Sequence, residues 1–259
     1  NILIIFRRKV MRKRKQKQMS ESLLLGAILA TVGGFLDAHT YICRGKVFAN
    51  AETGNIVLMG AKLAEGDFKD AFFYLIPITA FACGVFCAEG IKKLFKQNNY
   101  IHWRQITVAA EIIALVFISF VEPTRMHNIF TNALVAFVCS LQVQSFRQIS
   151  GVPLTTTMCT GNLRSGTEHL FNAVTTKNKT VLKTAFKYYS IIFFFVLGAA
   201  IGAVLSSAIG RYSTLIAAGG LLAAFLLMFV NKEAEKREEI FERAEEEREE
   251  AEIKAAEKL

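Results

Sequence analysis

Long apolar blocks alternate with short polar segments along this chain. Blocks 188–209 and 213–230 contain no charged residue at all. A bilayer core of about 30 Å is crossed by roughly 20 apolar helical residues. Four further blocks qualify when isolated polar side chains are tolerated, and they cover 23–43, 71–91, 105–121 and 129–143. The pattern predicts an all-α membrane protein with about six spanning helices.

Two other nearly apolar segments, 47–64 and 152–174, follow the first and the fourth predicted spans. If both crossed the membrane, the loop 92–104 with its four basic residues would lie outside, against the positive-inside rule. We therefore interpret both segments as re-entrant. Irregular backbone at that depth must be buried in protein or line a cavity, because lipid offers it no hydrogen bonds.

The basic residues of the chain lie mainly beside the predicted spans, which explains its net charge of +9 without a nucleic-acid partner. Segment 1–22 is strongly basic, which predicts cytoplasmic N- and C-termini for six crossings. Segment 231–259 changes abruptly to alternating acidic and basic residues and predicts one charged helix. It is either a native coiled-coil tail or an engineered extension, and the change in composition favours the second.

An internal repeat is indicated by Thr53-Gly54-Asn55 and Thr160-Gly161-Asn162, which lie 107 residues apart. The same shift places Asp37 on Gln144. Repeats 23–121 and 122–230 each hold three spans and one broken segment. Because three is odd, the second repeat enters the membrane from the opposite side, as in many transporters and some channels.

The chemistry of the Thr-Gly-Asn motif predicts a helix start. Thr and Asn are good N-caps, and Gly permits a sharp turn before a helix. The N-terminus of a half-helix carries free N–H groups and a partial positive charge, so two of them facing each other would hold an anion or a polar solute. The alternative is that both motifs merely cap helices for packing.

Polar side chains inside the apolar blocks extend this candidate site. Asp37 and Glu111 are carboxylic acids at membrane depth, where they usually face a cavity or a partner, and an isolated acid there suits proton coupling. Gln142 and Gln144 lie near the position that matches Asp37, and Thr156 and Thr157 precede the second motif. The predicted substrate-binding set adds Asp37, the two glutamines and these two threonines to the motifs. Asp37 and Glu111 are the predicted proton-coupling residues, and a structural role for the acids is the alternative.

Two signatures resemble the YoaK family of uncharacterised bacterial membrane proteins. The first combines the residues 33–38, 47–50 and 53–55, and the second combines 141–142, Arg147, Gly151, 155–156 and 160–162. The resemblance covers roughly 23–230, and Glu52 departs from it, since a small or apolar residue is expected there. It implies a six-span protein of the bacterial inner membrane and no established substrate.

The combined features predict a small proton-coupled secondary transporter of a polar or anionic solute. An aquaporin-like channel, which shares the plan of two inverted three-span halves, and a non-transporting scaffold are the alternatives. No nucleophile–base pair, phosphate loop or metal-ligand spacing indicates an enzyme, a cofactor or a metal. The expected partners are membrane lipids and a small solute, and stripes of small residues leave a homodimer open.

Overall fold

A computed structural model describes residues 22–95 and 102–229, so the predictions for 1–21 and for the tail 231–259 lie outside the described residues. The described residues form helices and no strand. The helices are α1 Leu23–Cys43, α2 Glu52–Ala64, α3 Phe68–Phe95, α4 Trp103–Phe120, α5 Arg125–Ser145, α6 Cys159–Thr176 and α7 Lys179–Ile209. A 3₁₀ turn, Gly210–Ser213, joins α7 to a last helix, α8, at 214–229.

Five helical segments are long and apolar enough to cross a membrane, namely α1, α3, α4, α5 and the continuous stretch Lys179–Phe229. Much of the surface of α3 and α7 is exposed and apolar, as at Phe72, Phe86, Phe193 and Val204. Helices that are apolar on every side and exposed in a single chain require lipid around them. The predicted all-α class is therefore confirmed for the described residues, and five of their helical segments are candidates to span a membrane.

The fifth of these segments, 51 residues long, turns back on itself at Gly210. Gly210 has a φ of +59°, a conformation that favours glycine. Nδ1 of His39, in α1, lies 3.2 Å from the Ser206 hydroxyl, before the turn, and 2.8 Å from the Ser213 hydroxyl, after it. Farther along α8, Gly220 packs beside Val32, which is closer to the start of α1. α8 thus runs antiparallel to α7.

Close helix contacts at glycine residues hold α1 against α7. A Cβ atom on Gly198 would overlap the carbonyl group of Thr31, and one on Gly202 would lie 2.7 Å from the Cα of Phe35. Successive turns of α7 meet successive turns of α1, so the two helices are parallel. In lipid, where association depends on packing, small residues allow this backbone approach.

The helices α3 and α5 form a second parallel pair. At their starts, Arg125 forms an ion pair with Asp70 at 2.6 Å. Halfway along, a Cβ atom on Gly84 would overlap Ser140 and the carbonyl of Phe137. α4 and α8 lie in the core beside α1 and α5, where their apolar residues form one buried cluster.

Candidate functional site

The chain after α1 turns back and runs beside the helix it has just left. The backbone N–H of Ala49 donates to the Thr40 hydroxyl at 3.3 Å, and that of Asn50 donates to Asp37 Oδ1 at 3.0 Å. Later residues of this segment therefore lie beside earlier residues of α1, nearer to the middle of that helix. The helix α2 begins at Glu52, at the depth of Asp37 and not at the end of α1.

The chain after α5 makes the matching return. Gln142 Nε2 donates to the Thr156 hydroxyl at 2.9 Å, and the next residue, Thr157, reaches α1. A Cβ atom on Gly33 would lie 2.7 Å from Thr157 Cγ2 and 3.5 Å from Asn50 Nδ2. Gly33 is the middle residue of α1, so both returning segments meet halfway along the bundle, and only glycine gives them room.

The two helices that start at this meeting point differ from the others in how they begin. α2 and α6 follow Ala51 and Met158, which supply no side-chain acceptor. Side chains accept from the first N–H groups of the remaining described helices up to α7, at Ser22, Asp67, His102, Thr124 and Asn178. The first turns of α2 and α6 therefore have no capping side chain among the described residues. The N–H of Gly54 in α2 donates to the carbonyl of Ala51 at 3.0 Å, and the N–H groups without such a bond are the ones that a ligand can use.

The predicted capping role of the Thr-Gly-Asn threonines is wrong. Thr53 and Thr160 are the second residues of α2 and α6, because each helix begins one residue before its motif. A side chain two residues after the N-cap position does not accept from the first N–H groups. Both threonines instead lie on the wall of a cavity, together with Gly161.

The asparagines of the two motifs fasten the returning segments and do not line that cavity. Asn55 Nδ2 donates to the carbonyl of Phe48 at 3.4 Å, and Asn162 Nδ2 donates to the carbonyl of Thr155 at 2.6 Å. Each asparagine is almost fully buried and reaches the residue seven positions before it. Gly54, between Thr53 and Asn55, also lies outside the cavity lining, and a Cβ atom there would meet nothing within 4 Å.

A cavity of about 860 Å³ lies between the starts of α2 and α6. It brings together residues from both motifs with one side of α1 and with α3 and α7. Of the predicted site residues, Asp37, Thr53, Thr157, Thr160 and Gly161 line it. The two halves of the chain thus contribute to one site, at the depth where the returning segments meet.

The lining of the cavity is mostly apolar, and its charged residues are acidic. Asp37 and Glu52 both line it, and among the described lining residues none is basic. Glu52 Oε2 accepts from Asn55 at 2.9 Å, while its Oε1 is buried without a partner. Asn50 and Thr157 are 6% and 8% exposed, yet their side-chain polar atoms have no partner among the described residues. Such groups usually await a ligand or water.

The remaining amides of the predicted set lie elsewhere. Gln142 and Thr156 are buried behind the cavity and bond to each other. Gln144 is bonded to Glu89 and lies in a separate basic pocket with Arg147. It lies in the last turn of α5, whereas α1 continues for six residues beyond Asp37.

The helix bounds explain why Asp37 and Gln144 do not correspond. α1 and α5 have the same length, and their first residues, like their last, are 102 positions apart. The loop after α5 is five residues longer than the loop after α1, which produces the shift of 107 at the motifs. By position along the helix, Asp37 matches Cys139. The predicted pairing was wrong because one shift was applied across a loop of unequal length.

Glu111 and His39 lie in the core, outside the cavity lining. Glu111 is 1% exposed in α4, and both of its carboxyl oxygens are without a hydrogen-bond partner in the described part of the chain. It is close enough to Cys139, as is Asp37, for its charge to act there. His39 bonds to Ser206 and Ser213, which accords with its interpretation as a core residue.

Sequence reasoning did not include Asn50, Glu52 or Phe81 in the site. Asn50 and Glu52 enter it because the chain after α1 folds back, and Phe81 enters from α3, which has no sequence signal for a site. The departure of Glu52 from the YoaK-like pattern was the one available signal, since a charge in an apolar segment usually faces a cavity.

Comparison with known proteins adds a family and no named function. No curated protein and no solved structure matches the chain. One family profile matches residues 25–228, nearly the range over which the YoaK-like resemblance extends. The chain belongs to the family described as "Protein of unknown function (DUF1275)".

Proposed function

We propose that this chain is a proton-coupled secondary transporter of a small polar solute. The observation that carries the proposal is the pair of helices that start without side-chain caps at one cavity, in the middle of a bundle of apolar helices. Broken helices that present free backbone groups at the midplane form the solute sites of many carriers. A scaffold has no need for such a site.

The architecture that we propose has six spans in two inverted repeats, α1–α4 and α5–α8, with α2 and α6 as re-entrant half-helices. The packing supports this arrangement. The first helix of one repeat lies parallel to the third helix of the other, in the pair α1 and α7 and in the pair α3 and α5. Such an exchange is what a two-fold axis in the membrane plane produces.

The orientation that we propose places both termini in the cytoplasm of a bacterial cell, as the YoaK-like resemblance implies for the inner membrane. Basic residues gather at one end of the bundle, where Lys92, Arg104 and Arg147 line one pocket. At the other end, Arg125 and Arg211 are paired with Asp70 and Glu122, and segment 44–70, which includes Asp70, has four basic residues against four acidic ones. An excess of positive charge marks the cytoplasmic side.

Asp37 is the residue that we propose for proton coupling. It is 6% exposed, faces the cavity and receives a backbone N–H from Asn50. Among the described residues no basic side chain forms an ion pair with it. A carboxyl group without a basic partner at a cavity inside the membrane is suited to take up and release a proton as solute binds. Glu111 lies deeper in the core and has no described route to the solute, so we assign it no role in solute binding.

A channel is the second candidate, because paired half-helices also line pores. Uptake by the purified protein in sealed vesicles, with a panel of polar solutes and with or without a pH gradient, separates the two. We expect saturable uptake that a pH gradient accelerates and that shows counterflow. Flux that rises linearly with solute concentration and ignores the gradient would indicate a channel. The absence of flux for every solute would support a scaffold.

A further inference from the structure

The charge of the cavity restricts the solute that it can hold. Its described titratable side chains are Asp37, Glu52, Tyr41 and Cys159, and no lysine, arginine or histidine joins them. The carboxyl groups of Asp37 and Glu52 line the same cavity. Two acids without a base attract a cation and repel an anion, so the anionic solute that the motifs suggested fits this site poorly.

The unpartnered polar groups of the cavity point in the same direction. Asn50 and Thr157 are more than nine-tenths buried and are held near Gly33, where the two halves of the chain meet. Asn50 Oδ1, Asn50 Nδ2 and Thr157 Oγ1 all lack a hydrogen-bond partner among the described residues. The two oxygen atoms accept N–H groups from a primary ammonium ion and offer partial negative charge to a quaternary one, while Asn50 Nδ2 is a donor for an oxygen atom of the solute. The site therefore has uncharged acceptors in addition to its two acids.

Aromatic rings supply the rest of the wall. Tyr41, Phe48, Phe81 and Phe195 all line the cavity. Tyr41 and Phe48 are stacked, with ring centroids 4.9 Å apart, and the ammonium group of Lys46 lies 4.7 Å from the Tyr41 ring. An ammonium group is attracted to the face of an aromatic ring, more strongly where water is excluded. At Tyr41 the ammonium group of Lys46 already takes this place, so the other rings of the wall are the ones left for a solute.

We propose that the solute is a small organic cation with an ammonium group at one end and an oxygen acceptor at the other. The ammonium group lies between Asp37 and Glu52, and the acceptor meets the uncapped N–H groups at the start of α6. A volume of about 860 Å³ suits an organic molecule, and the described residues contain no cluster that would hold a metal ion. This inference rests on the proposed transport function for its physiological meaning.

Binding of this cation requires ionised carboxyl groups, so each carboxyl group that is protonated before binding releases one proton to water. Where one of the two carboxyl groups is protonated before binding, one positive charge enters for the one proton that leaves and charge balances, whereas two protons leave for one cation where both groups are protonated. A carrier with this site exchanges its solute for protons. Affinity for the cation rises with pH, since a higher pH favours the carboxylates.

Thermal unfolding of the purified protein in detergent tests the inference with three ammonium probes: methylammonium, tetramethylammonium and choline. The neutral carbon isostere of choline, 3,3-dimethylbutan-1-ol, and the anion 3,3-dimethylbutanoate are the matched controls. We expect choline to raise the Tm more at pH 8 than at pH 5, and both controls to leave it unchanged. A ligand that binds only the folded state stabilises it by RT ln(1 + [L]/Kd).

Substitution of the lining carboxyl groups tests whether choline binds in this cavity. Glu52→Gln and Asp37→Asn should each weaken choline binding by about tenfold or more, because each removes one of the two negative charges that attract the trimethylammonium group. Glu65→Gln, just after α2 and paired on the surface with Lys62, should bind choline as the wild type does. Equal stabilisation by the neutral isostere or the anion, or no stabilisation by any ammonium probe, would overturn the inference.

The two proposals fail in different ways. Gradient-driven uptake of a neutral or anionic solute, without an effect of any ammonium probe, would contradict the proposed cationic solute and still support the proposed transport function. Choline binding that depends on Asp37 and Glu52, without uptake of choline into vesicles, would support the cation site and contradict the transporter.

Discussion

Asp37→Asn should abolish solute uptake driven by a pH gradient while the protein remains folded. The substituted side chain has nearly the same shape, and its Oδ1 still accepts the N–H of Asn50, so the returning segment keeps its place. The charge and the exchangeable proton are both lost. A hydrogen bond to a charged group contributes roughly 1.5–3 kcal/mol, which corresponds to about a 10- to 150-fold loss of affinity.

The control for this variant is Asp70→Asn. Asp70 is also an aspartate, but it forms an ion pair with Arg125 at the end of the bundle, far from the cavity lining. An exposed pair of this kind contributes little to stability, so uptake should stay near the wild-type rate. Gradient-driven uptake that persists in Asp37→Asn would remove Asp37 from the coupling mechanism. A fall in the Tm of that variant, with loss of the folded fraction, would assign Asp37 a structural role.

Gly198→Val should produce the largest loss of stability. Gly198 meets the backbone of Thr31 in α1, and its neighbour along the same contact, Gly34, meets the backbone at Phe195. A backbone group cannot rotate away as a side chain can, so the two helices must separate. Overpacking of a tight contact costs about 1–3 kcal/mol, and we expect the upper end or beyond.

The matched control lies in α8. A Cβ atom on Gly219 would meet nothing within 4 Å, so Gly219→Ala adds helix propensity without a clash. Thermal unfolding of both variants in detergent should show a large fall in Tm for Gly198→Val and little change or a small rise for Gly219→Ala. Equal Tm values for the wild type and Gly198→Val would contradict the close contact between α1 and α7.

The spanning helices were predictable from sequence because hydropathy alone determines them. The bounds of α1 were predicted as 23–43, and the structure has Leu23–Cys43. The motifs also predicted that two helices start near them, but each helix begins two residues earlier than a threonine cap would place it. The agreement at α1 has a physical cause, since lipid imposes a minimum length and uncharged composition on every crossing.

The composition of the site was only partly predictable. Asp37, Thr157 and the motif residues Thr53, Thr160 and Gly161 could be named, because acids and helix starts at membrane depth stand out in a sequence. Asn50 and Glu52 could not be ranked, since their place depends on a loop that folds back along α1. The asparagines of the motifs were misread as ligand groups, because burial and hydrogen bonding to a carbonyl seven residues earlier leave no local pattern.

Access to the cavity from each side of the membrane tests the central claim most directly. Cys159 lines the cavity and is half-buried, so it is a natural probe once Cys43, Cys83, Cys87 and Cys139 are replaced by serine. The protein is reconstituted in one orientation, and a membrane-impermeant thiol reagent is added to the outside or the inside. The rate of modification of Cys159 is measured at each side with and without a pH gradient.

A transporter with one site between two half-helices predicts reaction from both sides, with rates that the pH gradient shifts in opposite directions. Access from both sides that does not respond to the gradient would indicate an open pore. The absence of modification from either side, in protein that still reacts after unfolding, would contradict the account.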